Sequence, residues 1–417
     1  MAWTDADAER YLTSLEPLGW RFGLERIRRL VSVLGMPQHR FASVHVVGTN
    51  GKSSVAEMTA ALLEAHGTRV GVYLSPHIDR WSERVRIGGA EIEEGEWAAA
   101  VERVAQSVEV VNRTLADGEA VSQFEAATAA GFVALAASRV EVGVIEAGLG
   151  GRLDATNVLP SRVTALTSVG LEHTEWLGET EEEIAAEKLA VVRDHSTLVI
   201  GRVGEGVKRH AERTAIERSA ELVVAHPDAD LRLAVPGAYL RRNYAVAIAT
   251  AAAAIGPLDP DLVRGVAERI ELPGRMQVLS GVPPLILDAA HNPDGARALA
   301  EALGEAARGG PVVGCLAILA DKDAAGILAS LAPRLALAVC TELPPERLEG
   351  MGRPGARSLE ASRLAEIAKA TGLPETEVVA EPRRAVQRTL EAARELRGAA
   401  LLCGSHYLLR YAVGARL

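Results

Sequence analysis

The chain has 417 residues, of which 48% are hydrophobic and 24% charged, and its formal net charge is −10. This length exceeds what one hydrophobic core usually supports, so we expect two domains. The composition is typical of a globular enzyme and excludes a disordered chain. The sequence lacks a long basic run, which argues against nucleic-acid binding. We therefore expect small-molecule substrates and, by default, a monomer.

The cysteines and the apolar runs bear on the cellular compartment. Cys315, Cys340 and Cys403 lie far apart without metal-ligand spacing, and an odd number cannot form a complete disulfide framework. We expect them to be buried thiols in a reducing environment. Residues 1–10 are acidic and do not resemble a secretory signal, and the small apolar run at 245–256 is too short to cross a bilayer. The sequence therefore predicts a cytoplasmic protein that does not contact membranes.

Strand and helix patterns alternate along the first two thirds of the chain. Short β-branched runs predict strands, and apolar residues at three- and four-residue intervals predict helices. The alternation predicts a mostly parallel sheet covered by helices on both faces. The predicted strands are 44–47, 69–74, 140–145, 163–169, 198–200 and 222–224; the predicted helices are two within 5–35, then 55–66, about 95–115, 125–138, 180–192, 207–219, 239–255 and 261–270.

A domain boundary is predicted near Pro273 and Gly274, which end the preceding helix before the strand pattern starts again. We predict an α/β fold, with a P-loop-containing, mostly parallel sheet domain over residues 1–272 and a smaller Rossmann-like α/β domain over 273–417. The strands predicted in the second domain are 285–287, 312–319, 335–340, 378–380 and 399–403; its predicted helices are 295–307, 324–331, 362–371 and 385–397.

The first predicted strand leads into a phosphate-binding loop. Gly48 and Gly51 allow successive backbone N–H groups to converge on phosphate oxygens, assisted by the dipole of the following helix. Lys52 adds a positive charge, and the hydroxyl of Ser53 or Ser54 can bind magnesium. The strict P-loop pattern has a further glycine two residues before Gly48, where this chain has valine. The motif is therefore a shortened variant, and a plain strand-to-helix connection is the alternative.

Other polar residues stand at the ends of predicted strands, where open α/β sheets bind ligands. Ser75 and His77 follow the second strand, Glu146 follows the third, and His173 follows the fourth. Glu146 is placed to hold magnesium directly or through water; a carboxylate that caps a turn is the alternative. His173 could equally be a metal ligand or a solvated turn histidine.

Four further features do not indicate a function when they are taken alone. Composition alone makes Lys188 an exposed charge on a helix, and makes residues 22–26 a helix cap. Arg275, next to the domain boundary, could bridge surface charges or reach nucleotide phosphates. Asp288 and His291 belong to a polar cluster after the first strand of the second domain.

Together these motifs resemble the folylpolyglutamate synthase and dihydrofolate synthase family within the Mur-ligase superfamily. Members of this family typically carry lysine-glycine-serine in the phosphate loop, whereas this chain has Lys52-Ser53-Ser54. The resemblance covers nearly the whole chain, through the segments 22–26, 48–54, 74–78, 146–157, 172–174, 187–188, 272–275 and 288–295.

The resemblance implies roles for particular residues. The ATP-binding residues that it implies are Thr49, Asn50, Gly51, Lys52, Ser53, Ser54, Asn243, Arg275 and Asp288. The implied magnesium ligands are Ser54, Ser75, Glu146, His173 and, if it is carbamylated, Lys188. The implied catalytic residues are Lys52, Lys188, Asp288 and His291, and the implied folate-binding residues are Phe22, Gly23, Arg26 and Phe124.

The activity implied by the resemblance is ATP-dependent addition of L-glutamate to a folate or dihydropteroate carboxylate through an acyl phosphate, with two Mg²⁺ ions. An acyl phosphate hydrolyses readily, so we expect a site that closes, with a hinge near Pro273 and Gly274. The sequence leaves open whether the chain is a dihydrofolate synthase, a folylpolyglutamate synthase or both, and we expect both by analogy. A Mur-type ligase acting on a cell-wall precursor and a non-catalytic nucleotide-binding switch are the alternatives.

Overall fold

The computed structural model describes residues 2–15, 21–228, 230–307, 309–348 and 355–412. The chain forms two compact units. The first contains Met1–Arg232 and Arg242–Glu268, and the second contains Leu233–Arg241, Arg269–Glu349 and Gly355–Leu417. The sequence-predicted helical region within 5–35 includes residues 16–20, which lie outside the described part of the chain.

An eight-stranded sheet organises the first unit. Its order is β4-β3-β2-β5-β1-β6-β7-β8, and the strands from β2 to β8 in this order run parallel, while β3 and β4 add an antiparallel edge. The strands are β1 Ala42–Val47, β2 Val70–Tyr73, β3 Val85–Ile87, β4 Ala90–Glu91, β5 Val142–Glu146, β6 Val163–Leu166, β7 Thr197–Ile200 and β8 Glu221–Val224.

Helices cover this sheet because their apolar residues recur at helical spacing. In α2, for example, Ile27, Leu30 and Val31 are buried on one side, as expected for an amphipathic helix. One large apolar cluster joins α1, α2, α4 and α5, and a second joins α7 and α8 to β6 and β7. The helices are α1 Asp5–Ser14, α2 Glu25–Val33, α3 Lys52–Ala65, α4 Glu94–Asn112, α5 Gln123–Ala137, α6 Thr174–Leu177, α7 Glu181–Leu189, α8 Glu205–Glu217, α9 Ala238–Ile255 and α10 Pro260–Ala267.

The second unit has a six-stranded sheet in the order β13-β12-β11-β14-β10-β9. All its strands are parallel except β9, which is antiparallel to β10. The strands are β9 Gln277–Leu279, β10 Leu285–Leu287, β11 Val312–Leu316, β12 Leu337–Cys340, β13 Thr376–Val378 and β14 Ala399–Cys403; the helices are α11 Pro293–Ala306, α12 Ala324–Leu331, α13 Ala361–Ala370 and α14 Pro382–Glu395. The predicted α/β fold class, with two sheet-containing parts, is confirmed.

The structure departs from the sequence prediction mainly at the sheet edges. β3, β4 and β9 were not predicted, because each has only two or three residues and their side chains are mostly half-buried or exposed. Such strands lack a continuous apolar run. β13 begins two residues before its predicted position.

Two composition-based predictions can be compared with the described residues. Cys315, Cys340 and Cys403 are buried and form no disulfide, as predicted. Among the helices that the structure describes, none combines the length and the hydropathy that a bilayer-spanning segment needs.

Candidate active site

The order of the central strands brings four loops to one edge of the first sheet. β5 lies between β2 and β1, and β6 lies on the other side of β1. Because these four strands are parallel, the loops that follow them lie side by side. Every strand-end residue that the sequence indicated in this unit, namely Ser75, His77, Glu146 and His173, belongs to one of these loops or to the end of its strand.

The phosphate loop connects β1 to α3 and is fixed by the neighbouring strand. The backbone N–H of Thr49 donates to the carbonyl of Ser168 over 2.8 Å, and the N–H of Asn50 donates to the Ser168 hydroxyl over 3.0 Å. Lys52 opens α3, and its Nζ donates to the carbonyl of Thr49 over 3.1 Å. The ammonium group therefore lies over the loop, where it can contact an anion.

Gly51 occupies a position that no other residue fits well. Its φ of 85° lies in the left-handed region, which glycine adopts without steric cost. A Cβ at this position would lie 2.8 Å from Nδ2 of Asn243. The side chain of Asn243, from α9, therefore packs directly on the phosphate loop.

Glu146 joins the loops that follow β1 and β2. Its carboxylate is buried, with the residue only 2% exposed. Oε1 accepts a hydrogen bond from the Ser53 hydroxyl over 3.0 Å, and Oε2 accepts one from the backbone N–H of Ser75 over 3.1 Å. Of the two candidate serines, Ser53 is thus the one that contacts Glu146, while Ser54 is buried in the first turn of α3.

Lys188 is not an exposed helix charge, and this composition-based interpretation was wrong. The residue is 3% exposed, and its Nζ donates to the carbonyl of Gly48 over 3.0 Å. It lies near the end of α7, on the side that carries the buried residues Ile184 and Ala185. Burial, and then the positive charge of Lys52, lower the pKa of Lys188 to about 7, so a large fraction of this amine is neutral near pH 7.

His173 lies next to the same group of side chains. It precedes the short helix α6 and has a φ of 52°. Its Nε2 lies 3.8 Å from Oε1 of Glu172, and the negative charge of Glu172 acts on Lys188 by raising its pKa. Within the described residues, no group of three or more histidine, cysteine, aspartate or glutamate side chains could hold a metal. A cation here would therefore also need hydroxyl or phosphate oxygens, which suit hard cations.

Phe124 is close to the Glu146 loop, whereas Phe22 lies in an exposed aromatic pair. The Phe124 ring packs on Gly148, where a Cβ would lie 2.4 Å from its Cζ. Phe22 is 38% exposed, and its ring centroid lies 5.0 Å from that of Trp176, which is 50% exposed. Trp176 could not be selected from the sequence, because a single tryptophan in a helix of four residues carries no periodic signal.

The guanidinium of Arg26 is bound within the protein. Its Nε donates to Oε2 of Glu125 over 3.1 Å, and its Nη2 donates to the carbonyl of Arg21 over 2.7 Å. The same Glu125 oxygen accepts hydrogen bonds from the N–H and the hydroxyl of Ser122. Gly23 lies beside this guanidinium, 3.9 Å from it at the position of a Cβ. These contacts give Arg26 a structural role in holding the 22–26 segment on α5.

The candidates from the second unit form a separate group. Oδ2 of Asp288 accepts hydrogen bonds from the Met276 N–H and the Tyr239 hydroxyl, each over 2.9 Å. Burial raises the pKa of Asp288, and the neighbouring Arg275 partly opposes this shift. Nδ1 of His291 donates to the carbonyl of Ala289 over 2.8 Å, which identifies Nδ1 as the protonated nitrogen. Arg275, Asp288 and His291 thus lie together within this unit.

Comparison with known proteins assigns this arrangement to a family. Residues 274–406 match the family described as Mur ligase, glutamate ligase domain. The chain is 33% identical over 382 residues to the dihydrofolate synthase/folylpolyglutamate synthase of Mycobacterium tuberculosis, covering 82% of this chain and 77% of that protein.

Solved structures agree with the assignment. The Mycobacterium tuberculosis folylpolyglutamate synthase complexed with ADP superposes with a TM-score of 0.87 at 30% identity, over 98% of each chain. A bifunctional folylpolyglutamate synthase/dihydrofolate synthase of Yersinia pestis, complexed with AMPPNP and a Mn ion, gives a TM-score of 0.83 at 30% identity, over 99% of this chain and 98% of that one.

The buried amine of Lys188 gives a pH-dependent prediction. A lysine whose pKa falls from 10.5 to about 7 on folding destabilises the folded state below pH 7, and this penalty is lost as the pH rises towards 10.5. Between pH 7 and 9, wild-type protein should therefore gain up to about 2–3 kcal/mol of unfolding free energy relative to Lys188→Met, since one pKa unit is worth about 1.4 kcal/mol. Urea unfolding in metal-free and CO₂-free buffer measures the difference. Parallel pH profiles for the two proteins would contradict the buried-amine account.

The site combines a phosphate loop, a buried strand-end carboxylate and a buried lysine, and the chain matches these relatives over most of their length. The chain therefore belongs to the folylpolyglutamate synthase/dihydrofolate synthase family of Mur ligases and is an ATP-dependent, amide-bond-forming enzyme.

Proposed function

We propose that this enzyme joins L-glutamate to the carboxylate of a folate or of dihydropteroate, with conversion of ATP to ADP and phosphate. The observation that carries the proposal is the convergence of Glu146 and Lys188 on the phosphate loop, through Ser53 and the carbonyl of Gly48. The Mycobacterium tuberculosis relative is named for both the dihydrofolate and the folylpolyglutamate reaction. We therefore propose a bifunctional enzyme.

The reaction has to join two anions before an amide can form. The acceptor carboxylate oxygen attacks the γ-phosphorus of ATP, ADP leaves, and an acyl phosphate results. The glutamate amine then attacks the acyl carbon, and the tetrahedral intermediate loses phosphate and a proton to give the amide. The first step requires neutralisation of the negative charge that gathers at the γ-phosphate. Lys52 lies over the loop that would hold this phosphate, so we assign this role to it.

The donor set around Glu146 fits a hard divalent cation. A buried carboxylate and serine oxygens are ligands that such ions prefer, and the related Yersinia pestis enzyme was crystallised with a Mn ion. We propose Mg²⁺ in two sites, held by Ser54, Ser75, Glu146, His173 and, after carbamylation, Lys188. When bound, the cations supply positive charge to the phosphate oxygens during transfer.

Lys188 is suited to carbamylation. Its pKa near 7 leaves a neutral amine, which is the form that adds to CO₂. The nitrogen forms a bond to the carbon of CO₂ and loses a proton, and the resulting carbamate is an anionic oxygen ligand. We therefore propose that the carbamate replaces the buried ammonium in the active enzyme.

The remaining assignments extend the proposal to the rest of the chain. We place Thr49, Asn50, Gly51, Ser53 and Ser54 at the nucleotide together with Asn243 and Arg275, and we assign catalytic roles to Asp288 and His291. We propose Phe22, Gly23 and Phe124 as folate-contacting residues, with Arg26 supporting the segment through Glu125. The functional domains are proposed to be 1–272 and 273–417, in a monomeric protein that is cytoplasmic, where its three free thiols would stay reduced.

Glutamate-dependent release of ADP tests the proposed function. With ATP and Mg²⁺, wild-type protein should release ADP when given L-glutamate and either dihydropteroate or tetrahydrofolate. Lys52→Ala should lower kcat about 10²–10³-fold, because removal of one group that stabilises transition-state charge typically costs this much. Lys369→Ala, at an exposed lysine, is the matched control and should retain full activity. Near-normal ligation by Lys52→Ala, or no ADP release with either acceptor, would refute the proposal.

Chemical rescue tests the carbamylation of Lys188. Lys188→Ala should lose most activity, and added formate or acetate should restore part of it by supplying the missing carboxylate in the vacated space. Lys188→Met keeps that space filled, so the same salts should not rescue it. Equal responses of the two variants to the salts would show that Lys188 does not act through a carbamate.

A further inference from the structure

Arg84 is a buried cation without an ionic partner. The residue is 3% exposed and precedes β3, at the end of a short 3₁₀ turn, Trp81–Arg84. Its Nε donates to Nδ1 of His77 over 2.9 Å, and its Cζ lies 4.1 Å from the centroid of the Trp81 ring. Its Nη1 is buried and makes no hydrogen bond to any residue that the structure describes. Burying a charge without a counter-ion costs folding free energy, and this cost falls when an anion binds to the charged group.

Glu9 is close enough to feel the charge of Arg84, but it does not form an ion pair with Arg84. The positive charge of Arg84 lowers the pKa of Glu9 slightly. Oε1 of Glu9 instead accepts a hydrogen bond from the backbone N–H of Trp81 over 2.8 Å. Burial raises the pKa of Glu9 to about 7, so this carboxyl group is partly protonated near neutral pH. It therefore supplies only part of a counter-charge.

Carboxylates adjacent in sequence are engaged by other donors. Glu83 accepts hydrogen bonds from the backbone N–H groups of residues 78–80, over 2.8 to 2.9 Å. Glu91 forms an ion pair with Arg80 over 3.0 Å. In the described part of the chain, no carboxylate oxygen lies within 4.0 Å of the Arg84 guanidinium.

Arg84 is directly connected to the loop that follows β2. Its carbonyl accepts the N–H of Leu74 over 2.8 Å, and the next N–H along that strand, of Ser75, donates to Glu146. The His77 ring that Arg84 contacts lies two residues further along the same loop. The guanidinium thus contacts the loop that carries Ser75, a proposed metal ligand, and both elements belong to the first unit.

Arg84 also neighbours the helix that presents Phe124. The Tyr73 hydroxyl lies 3.2 Å from the hydroxyl of Thr128 in α5. Burial raises the pKa of Tyr73, and the positive charge of Arg84 and its hydrogen bond with the Tyr73 hydroxyl partly oppose the shift. The Arg84 guanidinium is therefore close to the Tyr73 hydroxyl that contacts α5. Phe124 lies one turn earlier on α5.

We propose that Arg84 binds the non-reacting α-carboxylate of the glutamyl residue carried by a folate acceptor. This inference rests on the proposed function, in which the acceptor's terminal glutamyl residue reacts through one carboxylate and keeps the other. A guanidinium binds a carboxylate through two parallel N–H groups. The buried Arg84 guanidinium has no carboxylate partner among the described residues, and it contacts the loop that carries Ser75, so it is placed for that contact. Dihydropteroate lacks this second carboxylate, so Arg84 distinguishes the two classes of acceptor.

Kinetics and binding with matched acceptors test the proposal. In the full-length enzyme, Arg84→Gln should raise the KM and the Kd for dihydrofolate about 10- to 100-fold, the usual effect of losing a charge-assisted hydrogen bond. The KM for dihydropteroate should change less than about threefold. Arg84→Lys should give an intermediate effect. Arg86→Gln, two residues away and paired with Glu57, is the control and should bind both acceptors as wild type does.

A second comparison changes the acceptor, so that its main result comes from the wild-type enzyme. Wild-type enzyme should bind dihydrofolate more tightly than its α-carboxamide analogue, which retains the γ-carboxylate, and Arg84→Gln should lose this preference. Equal affinity of the wild type for the two compounds would overturn the proposal. If Arg84→Gln lost the same affinity for dihydropteroate as for dihydrofolate, the proposal would also be overturned. The same holds if Arg84→Gln raised only the KM for L-glutamate, since this would place the incoming amino acid at Arg84. Absence of ADP release by wild type with any acceptor would instead refute the proposed function, while the affinities would still decide the role of Arg84.

Discussion

The rest of the site depends on the two hydrogen bonds that the Glu146 carboxylate accepts from Ser53 and Ser75. β5 lies between β1 and β2, so its last residue lies between the phosphate loop and the Ser75 loop and contacts both. A buried carboxylate that accepts two hydrogen bonds fixes its donors in place. The topology of the sheet therefore brings the start of α3 and the Ser75 loop together at this carboxylate.

Three basic side chains contact the loops that meet at Glu146, namely those of Lys52, Lys188 and Arg84. Lys52 and Lys188 both donate to the backbone of the phosphate loop, and Arg84 donates to His77 in the loop that follows β2. In our proposal Lys52 neutralises the γ-phosphate and Arg84 binds a glutamyl carboxylate, whereas Lys188 becomes an anionic metal ligand when it is carbamylated. An enzyme that joins polyanionic substrates needs their negative charge neutralised before chemistry can start, and the burial of Arg84 makes its positive charge more effective.

The sequence predicted the parts of this architecture that have a local signal. The phosphate loop follows from glycine spacing, and Glu146 follows from its place at the end of an apolar strand. Lys188 and Arg84 could not be predicted in this way. Lys188 follows a run of acidic residues that suggests a solvated helix, and its burial depends on how α7 packs on the sheet. Arg84 stands in a polar turn before a three-residue strand, and the antiparallel pairing of β3 with β2 brings it to the loop that follows β2. The choice of Ser53 over Ser54 at Glu146 likewise depends on the rotation of α3, which spacing alone does not determine.

We infer that the acceptor carboxylate is activated when it attacks the γ-phosphate held at the phosphate loop. The most direct test uses dihydropteroate labelled with ¹⁸O in its carboxylate, together with ATP, Mg²⁺ and L-glutamate. Each turnover should transfer one labelled oxygen from the acceptor to the released phosphate, which mass spectrometry measures. Amide formation accompanied by phosphate without ¹⁸O would contradict it, because the carboxylate oxygen would then never have been bonded to phosphorus.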